Sequence, residues 1–405
     1  MAINIRYLSS AIHDEKKIEQ AKFNFINRLE DELGEKFNES SFENVNDEDL
    51  NLIFVVTGGV EGKFKEIYKK LKGPYYLLTN GENNSFAASL EILTFLKQQG
   101  LKGEILHGSL DYVSKRISQL KKIKEAKSKL SGRNIGLIGK PSDWLIASDV
   151  DYDDLLKKFG IKAIEISEDE LLEEIRSVDI NQLNELKKDK KIKDLYEKAF
   201  SIESLDGAMK IYLGLKNIVK KYDLQALTIR CFDLITKVKS TTCIALSLLN
   251  DEGIVSACEG DVPSLISMII LNALTNEPAF MANPSSIDIE RNEVILAHCT
   301  IPLNMVDNYV LDTHFESGTG VGIHGEIRQG QATLFKLNNN LKDYFVSPIT
   351  IEENMYYKNL CRTQIRVHMA KDVSYFLTNP MGNHHIICKD DVSQLVDEFM
   401  NYLDE

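Results

Sequence analysis

The sequence predicts an α/β fold with two parallel-sheet regions followed by a β-rich, barrel-like C-terminal region. Through the first two regions, short apolar runs alternate with amphipathic helical stretches, a pattern typical of parallel sheets covered on both faces. After residue 277, apolar and polar residues alternate instead, as in antiparallel strands. At 405 residues the chain is also too long for one ordinary core, so several domains are expected.

The first region reads as a series of strands and helices that ends near residue 131. Compact apolar runs predict strands at residues 3–8, 52–57, 75–79 and 103–107. Charged stretches with helical spacing predict helices at residues 15–33, 63–71, 85–98 and 110–130. Short strands separated by helices predict a parallel sheet.

The second region repeats this texture up to about residue 277. Strands are expected at residues 135–138, 163–166, 227–231 and 254–257. Helices are expected at residues 155–159, across 168–221, and at 262–274. The sequence thus divides into a first Rossmann-like α/β domain (1–131), a second (132–277) that carries Glu259, and a C-terminal domain (278–405) that carries His298 and His384.

Alternation at residues 293–298, 331–337 and 365–367 predicts the strands of the third region. Turn-forming residues cluster between them, at 318–322 and 338–340. The expected architecture is a small antiparallel barrel or sandwich.

Composition limits the classes of partner. The net charge of −13 argues against nucleic acid or an anionic membrane, but it leaves room for a small neutral sugar or a divalent cation. The first residues lack the apolar run of a signal peptide and no stretch is long enough to span a membrane, so a cytoplasmic protein is expected. No CxxC pair occurs, so free thiols are expected in a reducing compartment.

Glu259 is the strongest candidate for a catalytic residue. It lies at a strand-to-helix turn inside an apolar neighbourhood, where a carboxylate must be paired, protonated or bound to a metal. Asp261 follows in the same turn as a second candidate catalytic carboxylate, although an N-cap is an equally good interpretation.

Imidazoles concentrate in the C-terminal region, where six of the eight histidines lie between His298 and His385. Adjacent His384 and His385 on a strand would point to opposite faces, so one can reach a metal while the other packs or contacts a substrate. His298 ends an alternating strand, and it suits a site or a structural role equally.

Arg230, His314 and Glu316 are candidate substrate contacts, each with a plain structural alternative. Arg230 follows a strand and can instead form a structural pair with Asp233. Glu316 can instead form a surface ion pair with Arg328.

Together these motifs resemble the L-fucose isomerase-like family, whose relatives include the L-arabinose isomerases. The resemblance covers most of the chain. It is visible in Thr57-Gly58-Gly59, Pro141-Ser142-Asp143-Trp144-Leu145-Ile146-Ala147-Ser148 and Thr228-Ile229-Arg230-Cys231-Phe232-Asp233. It is strongest in Cys258-Glu259-Gly260-Asp261, Phe280-Met281-Ala282-Asn283-Pro284, His298-Cys299-Thr300-Ile301-Pro302, His314-Phe315-Glu316-Ser317-Gly318 and Gly382-Asn383-His384-His385.

The resemblance implies a manganese-dependent aldose–ketose isomerase that works through a cis-enediolate, with Mg²⁺ or Co²⁺ as other candidate ions. It also implies two α/β domains and a barrel-containing C-terminal domain. A homo-oligomer is expected, as a trimer or hexamer whose sites a neighbouring subunit completes. In the family a glutamate, an aspartate and a histidine hold the metal, and Glu259 and His384 match the first and the last.

The position of the family aspartate here holds Asn283, whose amide can ligate a hard cation but cannot accept a proton. Either Asp261 or Asp288 supplies the second carboxylate, or Glu259 acts alone with water or a histidine, or catalysis has been lost. The expected metal set is therefore Glu259, Asn283 and His384, with His298, His314, Glu316, His385 and Arg230 around the sugar. The alternatives are a non-catalytic sugar-binding or regulatory protein, and a metal-dependent epimerase or lyase.

Overall fold

A computed structural model describes residues 1–10 and 15–403 of the chain. The chain divides into two compact units, Met1–Ser128 and Lys129–Glu405. The domain boundaries expected at residues 131 and 277 remain predictions. Among the described residues, none of the helices combines the length and the apolar character needed to cross a membrane.

The first unit alternates strands and helices in the order expected from the sequence, with one further short strand, β2, that the sequence analysis did not predict. The strands are β1 (Ile3–Leu8), β2 (Asn38–Glu39), β3 (Leu50–Val55), β4 (Tyr75–Leu78) and β5 (Gly103–Leu106). The helices are α1 (Glu15–Leu33), α2 (Glu61–Ile67), α3 (Ser85–Gln98) and α4 (Leu110–Leu130), with a 3-10 turn at Tyr68–Lys70.

These strands form one parallel sheet in the order β2-β1-β3-β4-β5. One face is covered by apolar residues of α1 and α4, such as Leu29 and Ile117. The other face is covered by α2 and α3, through residues such as Phe64 and Ile92. The predicted parallel sheet with covered faces is confirmed for this unit.

The helix expected at residues 63–71 is observed as Glu61–Ile67, and β3, which was expected at residues 52–57, is also shifted. In the structure Leu50 pairs with Ile3 and Asn51 with Asn4, so the strand begins two residues earlier. Because Asn51 is polar, a search for apolar runs places the start of the strand after it. Asn51 fits in the strand because its side chain accepts a hydrogen bond from the buried Arg6.

The second unit begins with another set of parallel strands. These are β6 (Asn134–Ile138), β7 (Lys162–Ile166), β8 (Ala226–Ile229) and β9 (Val255–Ala257). The helices are α5 (Tyr152–Phe159), α6 (Glu168–Ser177), α7 (Ile180–Leu186), α8 (Lys190–Glu197), α9 (Ile202–Tyr222), α10 (Cys231–Val238), α11 (Cys243–Asp251) and α12 (Val262–Thr275).

The second parallel sheet has the order β7-β6-β8-β9. The strand expected at residues 227–231 ends earlier, at Ile229, and Cys231 already begins α10. The carboxyl ends of β6, β8 and β9 lie side by side, because these strands are neighbours and run in the same direction. The turns that follow them therefore meet at one edge of the sheet.

The remainder of the second unit is mainly antiparallel. Its strands are β10 (Phe280–Asp288), β11 (Glu293–His298), β12 (Val306–Asp312), β13 (Gly322–Ile327), β14 (Gly330–Leu337), β15 (Tyr344–Asn354), β16 (Thr363–Met369) and β17 (His385–Lys389). Two helices, α13 (Tyr375–Thr378) and α14 (Ser393–Leu403), and a 3-10 turn at Leu303–Met305 complete it.

Six of these strands close into a barrel in the order β10-β11-β16-β15-β14-β17, while β12 and β13 form a separate hairpin. The expected β-rich C-terminal region is thus a closed barrel. The almost fully buried helix α12 packs against β8 and β9 on one side and against β14 and β17 on the other. It thereby holds the end of the parallel sheet against the barrel.

Candidate metal and sugar site

Glu259 lies at the turn between β9 and α12, and the turn fixes its position. Its backbone has φ +63, a left-handed conformation that costs a non-glycine residue about 1–3 kcal/mol. The following Gly260 has φ +73, and a Cβ there would lie 2.7 Å from Pro141 Cα. Glu259 is only 7% exposed, in keeping with the apolar neighbourhood that the sequence predicted for this turn.

Asp261 is the N-cap of α12 and the centre of a buried network. One oxygen of its carboxylate accepts from Ser264 N–H at 2.9 Å, and the other lies 2.9 Å from His384 Nδ1. Lys336 Nζ, almost completely buried, lies 3.4 Å from the same carboxylate and donates to Ser264 Oγ at 2.7 Å. The network fixes the ring of His384, so Asp261 acts on the site through that ring.

His384 and His385 face opposite sides, as strand geometry predicts. His384 points towards Glu259, with its Nε2 3.4 Å from Glu259 Oε1. His385 packs against Tyr375 and Phe376, and its Nε2 lies 3.0 Å from the Tyr375 hydroxyl. The sequence assigned His385 to the sugar, but the ring lies outside the cavity lining described below.

His298, at the end of β11, completes a group of three potential metal ligands. Its Nε2 lies 3.8 Å from Glu259 Oε1. One ligand atom from each of Glu259, His298 and His384 lies within 4.8 Å of the others. The sequence expected His298 at the sugar and Asn283 on the metal, whereas the structure groups His298 with the other two ligands.

The charges in this group depend on one another. Burial raises the pKa of Glu259, but the nearby imidazoles of His384 and His298 bring it well below its usual range. Burial lowers the pKa of His384, but the charge of Glu259 and the hydrogen bond to Asp261 raise it overall to about 9. Lys336 lies beside the Asp261 carboxylate. The Glu259 carboxylate calls for a further cation, which is the His384 proton unless a metal displaces it.

The donor atoms fit a divalent metal ion. His384 Nε2 is buried and has no hydrogen-bond partner, while its Nδ1 is held by Asp261. A carboxylate on the far nitrogen is the usual means of orienting a metal-binding histidine. His298 Nδ1 accepts a long, 3.3 Å hydrogen bond from Thr300 N–H, which binding at Nε2 would break at a cost of about 1 kcal/mol.

A cavity of about 380 Å³ opens beside these ligands. It is lined by Trp144, Phe232, Glu259, Asn283, Glu316 and Asn383. Trp144, in the turn after β6, donates its Nε1–H to Glu259 Oε2 at 2.7 Å, and its ring packs edge-on against Phe232. The cavity is large enough for a monosaccharide, and its apolar wall, amides and carboxylates suit a sugar's two-sided surface.

Asn283 lies in this lining without belonging to the group of three. Its amide oxygen is buried and has no hydrogen-bond partner. Such an oxygen is available to a metal, a water or a sugar hydroxyl. The expected ligand role of Asn283 stays a prediction.

The other predicted sugar contacts divide into two groups. Glu316 lines the cavity, and the Arg328 proposed as its alternative partner instead lies 3.5 Å from Asp307. Arg230 and His314 lie outside the lining. Arg230 donates to Asp233 Oδ2 and to the carbonyl of Pro141, both at 2.8 Å, so it anchors the turn that carries Trp144.

His314 is buried, and its ring forms a hydrogen bond within its own turn. Its Nδ1 lies 3.1 Å from Ser317 Oγ, and its ring contacts Phe232 edge-on. Burial, with the charge of His298, lowers the pKa of His314 to about 4. His314 therefore supports the cavity wall from behind.

Sequence reasoning assigned no role to Trp144 or Lys336. Trp144 is the only tryptophan in the chain, and it follows a strand at the carboxyl edge of a parallel sheet. Ligands bind at such edges, so this position could have identified Trp144 as a candidate site residue. Lys336 sits in an otherwise apolar stretch of β14, but nothing in the local sequence indicates that its partner is Asp261.

Comparison with known proteins adds an independent observation. No family model matches the chain. The chain is 28% identical over 197 residues to a sulfoquinovose isomerase of Clostridium sp. (strain MSTE9), covering 45% of this chain and 42% of that protein. It is 25% identical over 250 residues to a sulfoquinovose isomerase of Alkalicoccus urumqiensis, covering 57% and 54%.

A sulfoquinovose isomerase of Priestia aryabhattai is 26% identical over 136 residues, covering 32% of this chain and 30% of that protein. The chain thus spans about half the length, or less, of the curated relatives it matches. All three relatives are named as isomerases of a sugar. A group of potential metal ligands beside a sugar-sized cavity suits an enzyme of that class.

Proposed function

We propose that the protein is a metal-dependent isomerase that interconverts an aldose and a ketose through a cis-enediol or enediolate. The observation that carries the proposal is the convergence of Glu259, His298 and His384, because Glu259 also lines the wall of a sugar-sized cavity. The similarity to proteins named sulfoquinovose isomerase supports the same class of reaction.

Glu259, His298 and His384 would hold the metal, with Asn283 as a further neutral oxygen ligand. A divalent ion held there supplies a positive charge that stabilises the oxygens of an enediolate. Two imidazoles in the donor set favour Mn²⁺ or Co²⁺ over Mg²⁺, which prefers oxygen ligands. Manganese, which the family resemblance implies, therefore remains the expected metal ion.

Glu259 is the base in this proposal, because its carboxylate lines the cavity and stays ionised. Trp144 holds one carboxylate oxygen through its indole N–H, which leaves the other oxygen towards the histidines. Asp261 keeps the ring of His384 in place from the far side. A proton removed from the carbon next to the sugar carbonyl would therefore pass to a carboxylate of fixed orientation.

The lining favours a neutral sugar. It contains the carboxylates Glu259 and Glu316, the amides Asn283 and Asn383, and two aromatic rings. Lysine and arginine are absent from this lining, as far as the described residues form it, and an anionic sugar such as sulfoquinovose would face two carboxylates. Amides and carboxylates match neutral hydroxyl groups through hydrogen bonds.

An assembly of several subunits is part of the proposal, as a trimer or hexamer. Trp144, 53% exposed, and Ile146, 95% exposed, lie in the turn beside the cavity, and apolar side chains this exposed are typical of surfaces that another chain covers. Light scattering coupled to size exclusion would measure the oligomer number directly.

The direct test is to strip the metal from the purified protein and to assay a panel of aldoses, including sulfoquinovose, with Mn²⁺, Co²⁺ or Mg²⁺ added back. We expect exchange between aldose and ketose with Mn²⁺ or Co²⁺, fastest with a neutral sugar. In D₂O, exchange of the transferred proton with solvent places deuterium at C1 or C2 of the product.

Other products would favour other functions. Shorter fragments would indicate a lyase, and a second aldose an epimerase. Tight sugar binding that needs no metal and yields no product would indicate a binding protein. Asn283, at the position where the family has a carboxylate, favours this alternative.

A further inference from the structure

Isomerisation of an aldose requires two separate proton transfers. One moves a proton between two carbons, from C2 to C1, and the other moves a proton between two oxygens, from O2 to O1. Glu259 serves one of these tasks in the proposed function. A second group is needed for the other, because a single carboxylate carries only one proton at a time.

Asn283 and Asp261 are both unsuited to this second task. The amide of Asn283 lines the cavity but cannot accept a proton at neutral pH. The carboxylate of Asp261 is completely buried, lies outside the lining, and is already engaged by Ser264, His384 and Lys336.

Glu316 is the remaining acid in the cavity wall. Glu259 and Glu316 are the carboxyl groups among the described lining residues. Within the part of the chain that the structure describes, the carboxylate of Glu316 forms neither a hydrogen bond nor an ion pair, which contrasts with Glu259 and its partner Trp144. Glu316 is exposed to solvent as well as lining the cavity.

The backbone around Glu316 is well fixed even though its side chain is free. Gly318 N–H donates to the His314 carbonyl at 2.9 Å, and Ser317 Oγ lies 3.1 Å from His314 Nδ1. The ring of His314 contacts Phe232, which is itself part of the cavity wall. These contacts hold the turn in place, and the turn positions Glu316 in the cavity wall.

The surroundings of the two carboxyl groups differ. Glu259 is buried and is held by Trp144, whereas Glu316 is exposed and has no partner among the described residues. Partial desolvation at the cavity wall, and then the charge of Glu259, raise the pKa of Glu316. A carboxyl group that can take up and release a proton without losing a partner is suited to acid–base work.

We propose that Glu316 is the second acid–base residue, and that it carries the proton between the two oxygens of the sugar. The inference rests on the proposed isomerase function. Glu259 takes the proton from C2, the C–H electron pair becomes the C1=C2 bond, and the C1=O1 pair moves to O1, which takes the proton of Glu316. The Glu316 carboxylate then takes the proton of O2, the C2=O2 bond forms, and C1 takes the proton back from Glu259.

The test compares Glu316→Gln with the wild type on the sugar that the wild type converts. We expect kcat to fall about 100- to 1000-fold, the size of a lost general acid–base group, with KM changed less than threefold. The affinity for Mn²⁺, measured by calorimetry, should stay unchanged, because Glu316 is outside the ligand group. Glu290→Gln, a change at an exposed turn, is the matched control and should retain the wild-type kcat.

A rescue variant sharpens the test. Asn283→Asp returns a carboxylate to the same cavity wall, so the double variant Asn283→Asp/Glu316→Gln should recover at least tenfold in kcat over Glu316→Gln. Glu316→Asp should retain part of the activity and shift the pH at which kcat changes.

Three results would overturn the proposal. A wild-type kcat in Glu316→Gln would assign the oxygen proton to water or a histidine. A raised KM with unchanged kcat would make Glu316 a binding residue only. An inactive wild type with intact Mn²⁺ affinity would remove the isomerase function and this inference together, whereas loss of activity in Glu316→Gln alone leaves the function standing.

Discussion

The two parallel sheets of the chain end in turns of very different chemistry. At the carboxyl edge of the first sheet the buried polar side chains of Thr57, Thr79 and Ser85 are neutral hydroxyls that pair with their neighbours. Thr57 Oγ1 accepts from Ser10 N–H at 2.9 Å, and Thr79 Oγ1 lies 2.6 Å from Ser85 Oγ. At the corresponding edge of the second sheet lie Glu259, buried and in a left-handed conformation, and Trp144, which donates to it.

This difference shows that the topology of a parallel sheet sets the position of a site, whereas the residues of the turns set its chemistry. Both edges contain turns with positive φ, but among the residues that the structure describes, only the second edge carries a buried charge with a partner from another layer. That partner, His384, comes from the barrel, which the first sheet lacks within its own unit.

The largest expected effect in this comparison is that of Glu259→Gln. The change removes the base and a charged metal ligand without changing shape, so kcat should fall about 1000-fold or more. Mn²⁺ affinity, measured by calorimetry, should fall as well. Glu82→Gln, in the turn after β4 of the first sheet, is the matched change and should leave Mn²⁺ affinity unaltered. Full activity in Glu259→Gln would show that another group is the base.

Lys336→Met should have the next largest effect, because it leaves the Asp261 carboxylate buried without its cation. Loss of one partner of a buried ion pair costs about 3–5 kcal/mol, which denaturant unfolding would measure. Since Asp261 orients His384, Mn²⁺ affinity should also fall about 10- to 100-fold. Lys358→Met, at an exposed position, is the control. A stability within about 0.5 kcal/mol of wild type would contradict the importance of this ion pair.

Trp144→Phe should have a smaller effect on the same site. It keeps the packing on Phe232 but removes the donor to Glu259, and a hydrogen bond to a charged group is worth about 1.5–3 kcal/mol. We expect kcat to fall about tenfold, with the fold intact by circular dichroism. Tyr357→Phe, which removes a hydroxyl from an exposed aromatic residue of the barrel region, should leave kcat unchanged. Equal effects of the two changes would refute a specific role for the indole N–H.

The smallest expected effect is that of Gly81→Ala at the edge of the first sheet. Gly81 has φ +78, and a Cβ there would lie 2.9 Å from His107 Cε1. We expect a loss of about 1–2 kcal/mol on unfolding and no change in Mn²⁺ affinity. Gly34→Ala, with φ +72 and open space around it, isolates the backbone contribution and should cost less. A weakened Mn²⁺ affinity in Gly81→Ala would mean that the first edge influences the metal site.

The order of strands and helices was largely predictable, because apolar runs and helical spacing are local properties. The helices at residues 15–33, 85–98 and 110–130 and the strand at 293–298 begin and end where the pattern predicted. Errors arose at chain positions where a distant contact decides the end of an element. An example is Asn51, which belongs to β3 through its pairing with β1 and its contact with Arg6.

The site was predictable in part for the same reason. Glu259 and His384 stand out in the sequence, since a carboxylate and a histidine pair beside apolar runs are unusual. The grouping of His298 with them, and the burial of Lys336 against Asp261, required the packing of the barrel onto α12. No local pattern encodes contacts between residues that lie this far apart along the chain.

The sequence by itself determined the α/β texture, three of the six barrel strands and the acidic turn at Glu259, because each depends on neighbours within a few residues. Only the tertiary structure decided which imidazoles face that carboxylate, which ones pack away from it, and which acid remains free in the cavity. Those choices depend on how α12 holds the parallel sheet against the barrel. Electrostatic interactions between buried groups extend over a few ångströms in space, whatever their separation along the chain.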